Sequence, residues 1–222
     1  MQKIEVLLDK AKIFYDNGDP SHDFVHILRV VENCRRLGHA VQANLKILLP
    51  AAILHDVVNL PKNHPERLQA SQMAAEKSRQ VLAEVGYSEF EIDKIAEIIT
   101  EHSYSLGCKP TSIESAVLQD ADKLDALGAI GVMRTVSSGC RLGASYYDPA
   151  EPIAHERCLN DKAYTIDHFF TKLYKLPDLM NTEAAKIEAK ERVYFMRSFL
   201  NQLTKEVFLS SEKPALSSDT DS

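Results

Sequence analysis

Residues 47–54, ILLPAAIL, carry no charge on any side and end directly on His55 and Asp56. A helix that is apolar all round has no face to give to solvent, so this stretch belongs at the centre of the molecule. The pattern predicts a helix from about Gln42 to Val58, with Pro50 either bending it or marking its real start. A polar, metal-competent pair at the end of such a helix is costly to bury unless something there binds it. Neighbouring residues point about 100° apart on a helix, so His55 and Asp56 share one ion only if it sits against the helix flank. Two further residues complete a donor set: His26 in SHDFVHILRV and Asp122 in QDADKLDALGAIG. Two imidazoles and two carboxylates suit a borderline or hard divalent ion with water positions left open. An open position is what turns a structural metal into a catalytic one.

The rest of the chain reads as helix almost throughout. Ile4, Leu7, Leu8, Ala11 and Phe14 form one apolar stripe, giving an amphipathic helix over 2–16. Ser21 is a good N-cap for a second helix, with Ile27, Val30, Val31, Cys34 and Leu37 on its core face. A loop, NLPKNHP, follows the His-Asp pair. A long helix then ends at Gly86, a plausible C-terminal glycine. Ser88 and Glu91 form a capping box for the next helix, which ends near His102, and Ser112 caps the one carrying Asp122. Residues 139–160 form the longest irregular segment, and a loop of that length is usually functional or mobile. Two closing helices are expected over 161–176 and 182–208. With no alternating period-2 segment and no internal repeat, the fold class is all-α. A chain of 222 residues is ordinary for one domain, here 1–208, with 209–222 a small, polar, disordered tail.

A net charge of −6 argues against duplex nucleic acid as the main partner, because phosphate backbones want a basic face. It leaves room for a small phosphorylated substrate, whose charge a metal and a few local cations can offset. The N-terminus is charged every few residues, unlike a secretory signal, and no apolar run approaches the length of a membrane span. The four cysteines have no CxxC spacing and read as free thiols. The expected location is cytoplasmic, with no membrane partner, and a homodimer is compatible with this composition.

Taken in order, HILRV, LLPAAILHDVV and LQDADKLDALGAIG resemble the ligand motifs of the HD-domain superfamily of metal-dependent phosphohydrolases. TIDHFFTKLYKLPDLMNTEAAKIEAKERVYFMRSFLNQL is similar to the C-terminal half of a small bacterial subgroup of that superfamily, uncharacterised or nucleotide-hydrolysing. The resemblance covers residues 1–208 and implies an HD-type helical bundle. It implies His26, His55, Asp56 and Asp122 as ligands of a divalent ion, Mn²⁺ foremost, with Mg²⁺, Fe²⁺, Co²⁺, Ni²⁺ or Zn²⁺ as alternatives. It implies hydrolysis of a phosphorylated small molecule, a nucleotide above all, with cleavage of a nucleoside triphosphate to monophosphate and pyrophosphate as the specific form. Other readings are a different phosphate ester (a phosphodiesterase or nucleotidase activity), a di-iron oxygenase on the same fold, and a non-catalytic metal-binding module. Alarmone hydrolases of this fold carry an acidic pair soon after the His-Asp dyad. The stretch VVNLPKNH here has none.

A phosphohydrolase needs fixed positive charge where the transferred phosphoryl group gains charge. Arg29, one turn from His26, and Lys123, beside Asp122, are the expected catalytic cations. Lys62, in the loop after the dyad, is expected to bind substrate. His102 and His64 are candidates to protonate the leaving oxygen or to serve as ligands of a second metal ion, His64 also as a substrate contact. Asp125 is placed to orient a water or a ligand, and Asp120 to cap a helix or pair at the surface. His22, four residues before His26, is an alternative metal partner. Tyr146 and Tyr147, in the 139–160 segment, are candidates to stack on a base beneath a lid.

Overall fold

The computed structural model describes residues 2–15, 23–60, 64–103 and 107–207. Its helices are α1 (Gln2–Ala11), α2 (Phe24–Ala40), α3 (Leu45–Leu54), α4 (Ala70–Val85), α5 (Glu89–Glu101), α6 (Ile113–Asp125), α7 (Gly128–Arg141), α8 (Asp167–Thr171) and α9 (Glu183–Val207). Tighter 3₁₀ turns lie at Lys12–Phe14, Arg67–Gln69 and Leu173–Leu179. Among the described residues there is no strand beyond one isolated bridge between Ser145 and Tyr164. The expected all-α class is what forms. No described helix is long and apolar enough to cross a membrane.

Helix α3 is the centre. All of its residues from Ile47 to Leu54 are buried, and α1, α2, α5 and α6 pack around it. Burying each Leu or Ile here contributes roughly 1.5–3 kcal/mol. The helix is shorter than its apolar pattern suggests. Asn44 caps its start, accepting from Lys46 N at 3.1 Å, so Pro50 lies inside the helix and does not begin it. At the other end the Val57 amide turns back to Leu54 O at 3.3 Å. The Ile53 carbonyl is taken instead by the Tyr15 hydroxyl, which donates at 2.6 Å. The His-Asp pair therefore sits just past the helix, with His55 as its C-cap.

Other boundaries follow local chemistry. Asp23, and not Ser21, caps α2, its side chain accepting from His26 N at 2.8 Å; Ser21 and His22 lie outside the described residues. The Ser88–Glu91 capping box forms as read, and Gly86 ends α4 at φ 84°, a left-handed conformation that favours glycine. The helix expected over 161–176 is only the five-residue α8. Pro177 has no N–H to give the Leu173 carbonyl, and the following stretch tightens into a 3₁₀ turn.

Helices α6 and α7 meet at a sharp corner at Ala126–Leu127. A Cβ on Gly131 would stand 2.3 Å from Ala126 O, so only glycine lets the two helices fold this closely. Asp120, fully buried on α6, holds the start of α9. Its oxygens accept from Asn181 N and Thr182 N, each at 2.8 Å, from Thr182 Oγ1 at 2.8 Å and from Asn181 Nδ2 at 3.0 Å. The irregular segment begins at 142, since α7 runs on to Arg141. It is tied down internally. Arg157 forks onto buried Asp167 at 2.6 and 2.7 Å, and Glu151 accepts from the amides of His155, Glu156 and Arg157. The tail over 209–222 lies outside the described residues.

Candidate metal centre and cleft

Three helices end, and a fourth begins, at one place. His55 is the C-cap of α3, His102 is the C-cap of α5, Asp122 lies in the last turn of α6, and His26 lies in the first turn of α2. The C-terminal ends of three helix dipoles carry partial negative charge to that point, which favours a cation there. His26, His55 and Asp56 each offer a ligand atom within 4.8 Å of the others. Asp122 Oδ1 stands 3.6 Å from His26 Nε2, so the fourth expected ligand adjoins the same group.

The donor chemistry fits a divalent ion. His55 is 1% exposed. Its Nδ1 donates to Ala52 O at 2.9 Å, which leaves the lone pair on Nε2. That Nε2 is buried with no hydrogen-bond partner among the described residues and stands 3.9 Å from Asp56 Oδ2. A buried polar atom left unpaired is destabilising, and an ion at this point would satisfy it. Burial, above all, pushes the His55 pKa down to about 4 against the opposing pull of Asp56, so the ring is neutral, as a ligand must be. For Asp122, burial favours the neutral acid, but His55 and His26 outweigh it and its carboxyl sits below its ordinary value.

Beside this centre lies a cleft of about 160 Å³ lined by Asp56, His102, Asp122 and four cations, Arg67, Lys123, Arg134 and Lys172. His102 Nδ1 donates to Ile99 O at 2.6 Å, and Nε2 stands 3.5 Å from Asp56 Oδ1. Burial would lower the His102 pKa, but the bond to Asp56 and its charge prevail and raise it. Lys123 is mostly buried, with Nζ 3.8 Å from Asp120 Oδ1, and burial lowers its pKa.

Several expected site residues stand elsewhere. Arg29 grips Asp125 with Nε at 2.6 Å and Nη2 at 2.9 Å and lines a separate cavity on the far side of that carboxylate. Asp125 also stays out of the cleft, bonded behind His26. His64 does not line the cleft either; its Nδ1 accepts from Glu66 N at 3.2 Å. Lys62 lies outside the described residues. Tyr146 is 59% exposed and Tyr147 packs against the core, and neither lines the cleft. Sequence reasoning missed Arg67, Arg134 and Lys172, which no spacing relates to the ligand motifs.

Residues 23–127, which span all four candidate ligands, match the HD domain family. The chain is 33% identical over 190 residues to the uncharacterised protein YpgQ of Bacillus subtilis, covering 84% of each chain. A crystal structure of YpgQ in complex with ADP shares the fold at a TM-score of 0.73 and 29% identity, over 92% of this chain and 95% of that one. An HD-superfamily hydrolase from Bacillus thuringiensis is 35% identical at a TM-score of 0.72, over 92% and 96%. By this likeness in sequence and fold, the chain belongs to the HD-domain superfamily of metal-dependent phosphohydrolases.

Proposed function

We propose that the protein hydrolyses a nucleotide at this cleft, with His26, His55, Asp56 and Asp122 holding one divalent ion, Mn²⁺ in the first instance. The observation that carries the reading is the juxtaposition of an ion-binding donor set with four cations around one opening. Such a cleft suits a chain of phosphates better than a neutral ester. The ADP complex of YpgQ supports a nucleotide as the ligand class here.

When bound, the ion supplies Lewis acidity toward a phosphate oxygen and makes a water acidic enough to act near neutral pH. The side chains do the rest. His55, neutral and oriented by Ala52 O, presents Nε2. Arg67, Lys123, Arg134 and Lys172 fix the phosphates and stabilise the charge that grows on them. His102, with Nε2 turned toward Asp56 and the cleft, carries a proton to the leaving oxygen. The preferred reaction is cleavage of a nucleoside triphosphate to monophosphate and pyrophosphate.

The deciding experiment is a Mn²⁺-supplemented screen for phosphate and pyrophosphate release over nucleoside mono-, di- and triphosphates, cyclic nucleotides and p-nitrophenyl phosphate. Pyrophosphate release from triphosphates is the expected result. Turnover of p-nitrophenyl phosphate alone would reject the nucleotide, and phosphate release without pyrophosphate would reject the site of cleavage.

A further inference from the structure

One buried carboxylate behind the centre accepts four hydrogen bonds. Asp125 Oδ1 accepts from Arg29 Nε at 2.6 Å. Its Oδ2 accepts from Arg29 Nη2 at 2.9 Å, from Arg134 Nη1 at 2.6 Å and from His26 Nδ1 at 2.7 Å. Three of the four contacts converge on Oδ2 and one falls on Oδ1. Asp125 is 1% exposed, and two guanidinium charges face its single negative charge.

His26 Nδ1 meets Asp125 Oδ2 at 2.7 Å and Arg134 Nη1 at 3.3 Å. The carboxylate, paired with two guanidiniums, can only accept, and its shorter contact assigns the His26 proton to Nδ1. The lone pair is then on Nε2, which faces Asp122 Oδ1 at 3.6 Å. The opposite tautomer would aim an N–H at Asp122, spending the lone pairs that both residues need as ligands. Arg134 answers to the same carboxylate. Its Nη1 is fixed on Asp125, while the guanidinium, 17% exposed, forms part of the cleft wall. A planar fork held at one nitrogen keeps its other donors in a defined direction.

We propose that Asp125 is a positioning residue that couples the metal centre to the phosphate cleft. The same carboxylate selects the His26 tautomer able to hold an ion and aims Arg134 at the phosphates of the substrate. The coupling rests on the functional reading above only for His26 as a ligand and for an anionic substrate. It depends on neither the base of the nucleotide nor the bond cleaved.

The test uses the full-length protein stripped of metal, with folding checked by circular dichroism. Mn²⁺ affinity is measured by calorimetry, and binding of inorganic pyrophosphate is measured without metal. Asp125→Asn is expected to weaken Mn²⁺ on the order of tenfold or more, as loss of a carboxylate behind a ligating histidine does, and to weaken pyrophosphate binding as well. Arg134→Gln is expected to weaken pyrophosphate binding while retaining most of the Mn²⁺ affinity. Unchanged affinity for both ligands in Asp125→Asn overturns the proposal, and a loss for Mn²⁺ alone overturns the coupling. Proton–nitrogen correlation spectra of the wild-type imidazoles at mildly alkaline pH give an answer even if Asp125→Asn does not fold. A proton on His26 Nδ1 is expected, and a lone Nε2–H tautomer contradicts the assignment. None of these readings uses a nucleotide, so a failed nucleotide screen leaves them intact.

Discussion

The Tyr15 hydroxyl donates to the Ile53 carbonyl at 2.6 Å, so the segment after α1 holds the end of the helix that delivers the His-Asp pair. Tyr15 is 2% exposed, and burial, then the charge of Asp56, raises its pKa well above the ordinary phenol value. It acts as a neutral donor. Tyr15→Phe leaves a buried carbonyl unpaired and should cost about 1–3 kcal/mol. In a chain of this size that lowers Tm by roughly 2–4 °C per kcal/mol. Denaturant unfolding of the metal-free protein reads the loss. A Mn²⁺ titration should show weaker binding, because the turn carrying His55 and Asp56 is loosened.

Asp120 and Asp122 lie two residues apart and do separate work. Asp120→Ala removes the acceptor for four donors at the start of α9 and should destabilise by about 3 kcal/mol or more, with metal binding retained in the folded fraction. Asp122→Ala should do the reverse, abolishing metal binding with little loss of stability. Unfolding curves paired with metal analysis separate the two, and an exchange of phenotypes would mean that the closing carboxylate is Asp120.

Metal should stabilise the folded chain by mass action. At a thousandfold excess over Kd the gain is about 4 kcal/mol, seen as a rise in Tm on adding Mn²⁺. His55→Ala should remove that rise while keeping the helical spectrum. A rise of equal size in the variant would place the ion elsewhere.

Glu188 lies between Arg36 and Arg192. Burial pushes its carboxyl up, but the two guanidiniums outweigh burial and hold it below its ordinary value. A carboxyl lowered on folding adds stability above its unfolded pKa, and that stability is lost as pH falls through the folded value. Glu188→Gln should therefore be less stable than the wild type near neutrality, with the gap closing as pH falls through and below the ordinary carboxylate range. Tm against pH for both proteins checks the sign.

Cys34 is buried, and Cys108, Cys140 and Cys158 are exposed. Burial, aided by Asp122 and Asp120, pushes the Cys34 thiol up, so it is both shielded and protonated. Three thiols should react with a disulfide reagent in the native protein and the fourth only on unfolding.

The helical class and the convergence of the candidate donors were legible because their signals are local. The Ser88–Glu91 box lies within one turn, and an apolar helix ending on His55 and Asp56 announces a buried polar site. What the chain hides is which carboxylate faces which neighbour. Asp120, Asp122 and Asp125 share one short stretch, and their roles diverge because α9 and α7 arrive from different sides. Arg29 shares a face with His26, as expected, yet its guanidinium reaches behind the imidazole to Asp125. Arg134 meets the same carboxylate only because the chain turns sharply at Ala126–Leu127. Tyr146 and Tyr147 drew attention by lying in a long irregular segment, but the Arg157–Asp167 fork and the Glu151 turn give that segment its own internal support.

The account stands most directly on metal stoichiometry measured beside turnover. Protein stripped by chelation and reconstituted with Mn²⁺ should carry one ion per chain and regain hydrolysis of a nucleoside triphosphate, and His26→Ala, His55→Ala, Asp56→Ala and Asp122→Ala should each lose both. A rate that survives chelation, or a full complement of metal in any of these four variants, would contradict it.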